Sequence, residues 1–140
     1  MSVKDVIRGA VNVQKNIPGI NMAHEDAPSS LNQLPCFVTY PFEGELIWPR
    51  PVMQEIITHD LNMDLYVQKA GEVQAVDRIL KPYIDLVIST FNQNISLGGT
   101  CFNSGIIKYK YGTLTYSGID YLGIKFILKV EERKNVIYKA

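Results

Sequence analysis

The chain has 140 residues, 46% of them hydrophobic and 20% charged, a balance that excludes disorder, collagen-like repeats and coiled coil and lets one core sustain the fold without staples. Fourteen basic residues match fourteen acidic ones, so no net field gathers nucleic acid or an anionic membrane around the molecule. Two cysteines, Cys36 and Cys101, read as buried apolar residues or free thiols more readily than as a disulfide framework.

Val3, Val6, Ile7, Val11 and Val13 fall largely on one side of a helix and Lys4, Asp5, Arg8 and Lys15 take the rest, which predicts an amphipathic helix over residues 2–16. The same charges interrupt the apolar run a secretory signal needs. No later window is long and uncharged enough to span a bilayer, so the expected site of synthesis is the cytoplasm. Pro18 and Gly19 stop the helix.

Residues 17–34 follow neither period and predict a long loop. Loops of this length in a compact domain bind something or stay mobile until they do, which makes this one a candidate contact surface; the bland alternative is a plain connector. Within it His24, Glu25 and Asp26 form a small polar cluster, read as a loop cap or as hydrogen bonds between subunits. Residues 36–41 and 44–49 then predict two short strands, confined to sheet edges or bends by Pro41, Pro49 and Pro51. Trp48, beside Pro49 and Arg50, is either an interface anchor or a core residue.

From Ile57 the alternation is regular. Ile57, Leu61, Met63, Leu65 and Val67 take one face and Thr58, Asp60, Asn62, Asp64, Tyr66 and Gln68 the other, which predicts a strand over 53–68 with one wet face. Its length, on the order of 50 Å, exceeds the width of a small domain and predicts that part of it projects. Residues 72–92 carry Val73, Val76, Leu80, Tyr83, Val87 and Phe91 at helical spacing and predict the main helix, kinked or divided at Pro82. A turn at Gly98 and Gly99 leads into three expected strands separated by Gly112 and Gly118. Leu122, Ile124, Phe126, Leu128 and Val130 form the apolar face of the last. The final ERKNVIYKA continues an edge strand or forms a tail.

This order of elements predicts one α+β domain over 1–140. Its sheet is antiparallel or mixed, with the N-terminal and main helices packed on one face.

Motifs for chemistry are sparse. GGTCFNSG lacks the lysine and spacing of a phosphate loop, and the two histidines, His24 and His59, stand in different segments without metal-ligand spacing. No cofactor and no metal are expected. His59, on the apolar strand face, predicts a hydrogen-bonded core or interface histidine. A small enzyme would pair Cys36 with His59 as nucleophile and base, which needs neighbouring strands and a third group to orient the ring. Asp60 and Asp64 lie about 13 Å apart along an extended strand, too far to clasp one ion. A nucleic-acid or ligand module would need a basic stripe assembled by folding from Lys108, Lys110, Lys125 and Lys129. The tyrosines, Tyr66 among them, supply amphipathic surface of the kind enriched in protein contacts.

The segments THDLNMDLYVQKAGEVQAVDRILKPYIDLVISTF, NISLGGTCF and YGTLTYSGIDYLGIKFILKVEE resemble the minor tail proteins of long-tailed bacteriophages, in particular the tail terminator family. The resemblance rests on LYVQ ending a strand, PYIDLV in a helix, the turn at Leu97 to Gly99 and the segment from Tyr116 to Ile124, and covers about residues 55–131. It implies a small sheet with helices on one side and a structural, non-catalytic virion protein. It also implies a hexameric ring that caps the tail tube and joins it to the head connector, at the head–tail junction of the virion. DNA would only pass through the lumen. Under that resemblance His24, Glu25, Asp26, Trp48, Arg50, His59 and Tyr66 are candidates for subunit or partner contacts, and Asp60, Asn62 and Asp64 for the lumen face. Another neck, connector or tail completion protein is the nearest alternative.

Overall fold

The computed structural model describes residues 2–46, 54–71 and 76–135. Trp48 and Arg50 lie outside the described residues, as do the first residues of the expected main helix and the end of the C-terminal segment.

Helix α1, Val3–Lys15, opens on Ser2, whose hydroxyl accepts from the Asp5 amide at 3.2 Å and satisfies one of the donors a helix start leaves unpaired. Asp5 in the first turn and Lys15 in the last complement the helix dipole. Gly9 is where this helix touches the turn at Leu97 to Gly99: a Cβ there would lie 2.6 Å from the Leu97 carbonyl oxygen and 2.4 Å from the Thr100 hydroxyl.

The segment 17–34 is not the featureless loop its composition predicts. Met22–His24 forms strand β1, parallel to the start of β2. A three-residue strand is too short to leave a period in the sequence; its partner defines it.

β2, Cys36–Leu46, is one strand where two were expected. A bulge between Pro41 and Glu43 absorbs Phe42, and Pro41 lies past the last β1 pair, His24 with Val38. Edge and bulge positions are where a sheet tolerates proline. β3, Gln54–Lys69, matches the long strand. α2, Val76–Asn92, is one helix with Pro82 inside it, so of the two expected outcomes, kink or division, division is excluded.

β4, Asn103–Tyr116, runs straight through Gly112, which faces Gly123. The three expected strands are therefore two. Gly112 has φ 146°, a conformation a strand carries without ending if the residue is glycine. The real reversal is at Ser117 and Gly118, both at positive φ, before β5, Ile119–Asn135; two such residues match the twist of a hairpin.

The sheet order is β1-β2-β3-β5-β4, with β1 parallel to β2 and every other pair antiparallel. The architecture is α+β: a five-stranded mixed sheet with both helices on one face. Between sheet and helices lie Phe37, Leu61, Met63, Leu65, Ile124, Phe126, Leu128 and Val130 against Val6, Ala10, Leu80, Val87 and Phe91. The apolar face expected for the last strand is buried in full.

The opposite face of β3 is not wet. Asn62 is 8% exposed and Asp64 and Tyr66 4% each. Alternation identifies which residues share a face but not whether something covers it, and here the chain covers one end of its second face, around Tyr66 and Tyr121, while Glu43, Glu45, Lys108, Lys110 and Lys129 further along it are exposed. Leu31, Cys36, Val38, Tyr66 and Tyr121 form a second cluster. Tyr116 donates its hydroxyl to the Pro28 carbonyl and Ser117 to the Ser29 carbonyl at 3.0 Å, so the 28–31 stretch is strapped across these tyrosines.

Candidate functional site

Cross-strand register assigns every residue of the second face to a row. Cys36, Tyr66 and Gly123 form one row, and Val38, Asp64, Lys125 and Lys110 the next. Tyr40, Asn62, Ile127 and Lys108 follow, then Glu43, Asp60, Lys129 and Gly105, with Glu45, Thr58, Glu131 and Asn103 last. Glycine at 123 is required because a Cβ there would stand 2.3 Å from the Leu65 carbonyl oxygen.

These rows set out a charge pattern that the linear sequence conceals. β2 contributes Glu43 and Glu45, β3 contributes Asp60 and Asp64, β5 contributes Lys125 and Lys129 beside Glu131, and β4 contributes Lys108 and Lys110. The face runs from acidic at one edge to basic at the other.

In the middle the opposite charges meet. Tyr40 donates to Asp64 Oδ2 at 2.8 Å, and Lys125 Nζ lies 3.4 Å from the same oxygen and 3.0 Å from the Tyr40 hydroxyl. Burial pushes the Asp64 carboxyl above its ordinary range, against the lowering effects of Tyr40 and Lys125. Burial would also lower the Lys125 ammonium, but Tyr40 and Asp64 raise it further than burial lowers it. The pair is asymmetric: Asp64 bears the desolvation while Lys125, at the solvent rim, keeps its charge. These residues line an open recess of about 410 Å³ with Ala27, Tyr66 and Tyr116.

The expected basic stripe is thus interrupted at Lys125. Lys108, Lys110, Lys125 and Lys129 do share one face, but Lys125 is committed to Asp64, and Lys129 stands opposite Asp60. Lys108 and Lys110 on the edge strand β4 and Lys129 on β5 are exposed and have no ion pair among the described residues.

The other candidates are placed as follows. Tyr66 packs edge-on against Tyr116 and Tyr121, each at 5.5 Å between ring centres, so it serves its own core and not a partner. Asn62 and Asp64, named as candidates for a lumen face, are buried within the chain. Asp60 alone of the three is partly open. His59 Nε2 lies 2.7 Å from Glu132 Oε2 on the helix-side face, consistent with a hydrogen-bonded core histidine; Glu132 is itself 1% exposed. His24 is half-buried at the end of β1, Glu25 accepts from Arg8 at 3.5 Å in an exposed pair, and Asp26 is exposed. His24, Glu25 and Asp26 border a shallow hollow with α1, and of the three Glu25 is bonded to that helix, through Arg8.

The Cys36 and His59 pairing is not assembled. Cys36 faces Tyr66 on the second face and His59 faces Gly44 on the helix side, about seven residues apart along the sheet, or roughly 23 Å. Burial also pushes the Cys36 thiol up to about 11, opposite to what a nucleophile needs. Both cysteines are buried free thiols. Among the described residues no group of three or more His, Cys, Asp or Glu gathers at metal-binding distance, and no helix is long and apolar enough to cross a membrane.

Proline marked the β2 region as a sheet edge or bend, but which stretch of it has no outer strand and which strand forms the other edge escaped sequence reasoning. β1 covers only Cys36–Val38 of β2, leaving Thr39–Leu46 without an outer strand among the described residues, and β4 is the opposite edge along its whole length. Phe42 at 59% exposure and Leu46 at 62% stand on the first edge; Ile107, Tyr109 and Tyr111 are exposed on the second. Strand order was the missing signal. No protein-family model and no curated protein matches this chain.

Proposed function

We propose that the chain is a structural virion protein, a ring-forming tail terminator of a long-tailed phage that caps the tail tube and joins it to the head connector. The observation that carries this reading is the second face of the sheet, acidic at one open edge and basic at the other, with large apolar side chains exposed along both. Pro41, the bulges and the charges on both edges guard against indiscriminate pairing, while the large apolar side chains exposed between them leave a contact for a matched partner. Copies of the same chain cover both edges at once when they meet head to tail, because a heterologous contact that closes leaves nothing exposed.

The segments behind the resemblance support the reading in a second way. Leu97 in the turn, Tyr116 and Tyr121 at the hairpin, and Ile124 are core or near-core residues, the positions through which a shared fold constrains a sequence. In this proposal shape and interface complementarity perform the function and no bond is made or broken. The protein stands at the head–tail junction and DNA only passes through the ring.

Sedimentation at high concentration and negative-stain microscopy with polymerised tail tubes test the proposal. Rings in solution or caps at tube ends are expected. A chain that is strictly monomeric in the first experiment and leaves tube ends bare in the second overturns it.

A further inference from the structure

The two open edges are matched in direction, charge and exposed surface. β2 and β5 run one way and β3 and β4 the other, since every pair from β2 to β4 across the sheet is antiparallel. When the sheet of one copy continues into the next with the same face upward, β4 of the first therefore meets β2 of the second antiparallel. That is the pairing already used throughout this sheet. The part of β2 with no outer strand among the described residues, Thr39–Leu46, extends roughly 26 Å; residues 107–114 of β4 can cover it, and the contact stops at Leu114 because β1 holds the edge at Cys36–Val38.

Charge selects among the ways these edges can meet. Glu43 and Glu45 point from the second face of β2, and Lys108 and Lys110 from the second face of β4; all four are exposed. Two β4 edges meeting symmetrically would set lysine against lysine, and two β2 edges glutamate against glutamate. Like charges directly opposite are destabilising in a sheet, so the pattern rejects both symmetric pairings and admits the mixed one.

We propose that the β2 edge of one copy pairs antiparallel with the β4 edge of the next, Glu43 facing Lys110 and Glu45 facing Lys108. The same register sets Gly44 opposite Tyr109 on the helix-side face, where the absent side chain leaves room for the ring. Each copy carries one half of the contact at each edge, so pairing propagates head to tail and ends only on closure. This pairing rests on the ring-forming reading and names the surface that builds the ring.

Reciprocal charge reversal tests it. Variant one is Lys108→Glu with Lys110→Glu; variant two is Glu43→Lys with Glu45→Lys. Each alone presents two like-charged edges and is expected to weaken self-association at least 100-fold, with unchanged circular dichroism and melting temperature because all four side chains are exposed. Mixed in equal amounts, the two restore assembly with strictly alternating composition, since the glutamate β4 of one meets the lysine β2 of the other. A second pair of variants guards against misfolding: Glu45→Cys and Lys108→Cys are expected to form a disulfide dimer when mixed under mild oxidation, and neither alone.

Wild-type protein that assembles while both reversed variants assemble equally well, or cross-links in which either cysteine variant pairs with itself, overturns the edge pairing and leaves ring formation standing on another surface. Alternating assembly that forms but never engages tail tubes sinks the tail terminator reading and keeps the pairing. A wild-type chain still monomeric at millimolar concentration overturns the pairing.

Discussion

The two faces of the sheet solve burial differently. On the helix side, aliphatic and phenylalanine side chains from four strands meet two amphipathic helices, and the cover is supplied by regular secondary structure. On the opposite side, a carboxylate, a lysine and several tyrosines share a face with Cys36 and Val38, and the cover is an irregular strap held at Pro28 and Ser29 by the hairpin. The first face is stabilised by transfer of apolar area from water. The second depends on each buried polar atom finding a partner; among the described residues Asp64 Oδ1 has none, as Gln14 Oε1 and Glu132 Oε1 on the helix side have none.

The contrast is broken most severely by Phe126→Ala. Phe126 is fully buried on the helix side, with ring centres 6.4 Å from Phe37 and 6.5 Å from Tyr109. Removing it is expected to cost about 3–5 kcal/mol by chemical denaturation, lost transfer energy plus the cavity left behind. A loss near 1 kcal/mol instead would mean that the helices cover this face only loosely.

Asp64→Ala strikes the second face and is expected to cost about 1–3 kcal/mol, because the Tyr40 hydroxyl and Lys125 lose their shared acceptor. The conservative Asp64→Asn isolates the charge. With the folded carboxyl raised above its unfolded value, the folded chain holds the proton more tightly than the unfolded one. The contribution of Asp64 to stability is therefore full below the ordinary carboxylate range and declines as pH rises through the folded value. Stability of Asp64→Asn relative to wild type should climb over that same interval. A flat difference between acid and neutral pH would show that Asp64 is as well solvated as an exposed carboxylate.

The same contrast explains what the sequence makes legible. Helical spacing in residues 2–16 and strict alternation from Ile57 locate α1 and β3 closely, because a face against helices imposes its period on every residue. The second face obeys the same alternation with polar residues, and polarity alone suggested water at Asn62, Asp64 and Tyr66. Leu31 packs in the cluster with Tyr66, and Tyr40 and Lys125 close over Asp64, all from segments at a distance in sequence. Glycine and proline misled in a related way: Gly112 and Pro41 have strand-breaking chemistry, but an edge strand and a bulge absorb them. Pro41 marks β2 as an edge or bend strand, but the opposite edge depends on strand order, which no local pattern encodes, and so the charges of Glu43, Glu45, Lys108 and Lys110 acquire meaning only once the sheet is assembled.

Tyr116→Phe is a finer cut. It removes the hydroxyl that donates to the Pro28 carbonyl while keeping the ring against Tyr66, at an expected cost of about 1 kcal/mol. Amide exchange should accelerate locally in the 25–34 stretch and stay unchanged in α1 and α2, since the strap opens without the helices. Acceleration spread evenly over the chain would contradict the separation of the two faces.

The smallest effect on folding is expected where the effect on assembly is large. Phe42 occupies the bulge of β2 and Leu46 the end of the strand, both more than half exposed, so neither side chain loses much contact with water in the isolated chain. Phe42→Ser and Leu46→Ser should therefore change unfolding free energy by no more than about 0.5 kcal/mol. Each should nevertheless raise the concentration needed for self-association, because in the proposed pairing their apolar area is buried by the neighbouring copy. Equilibrium denaturation and sedimentation on the same samples separate the two quantities. A loss of folding stability as large as that for Asp64→Ala would place these side chains in the core of their own chain, and the open edge would then be a feature of one molecule and not of an assembly.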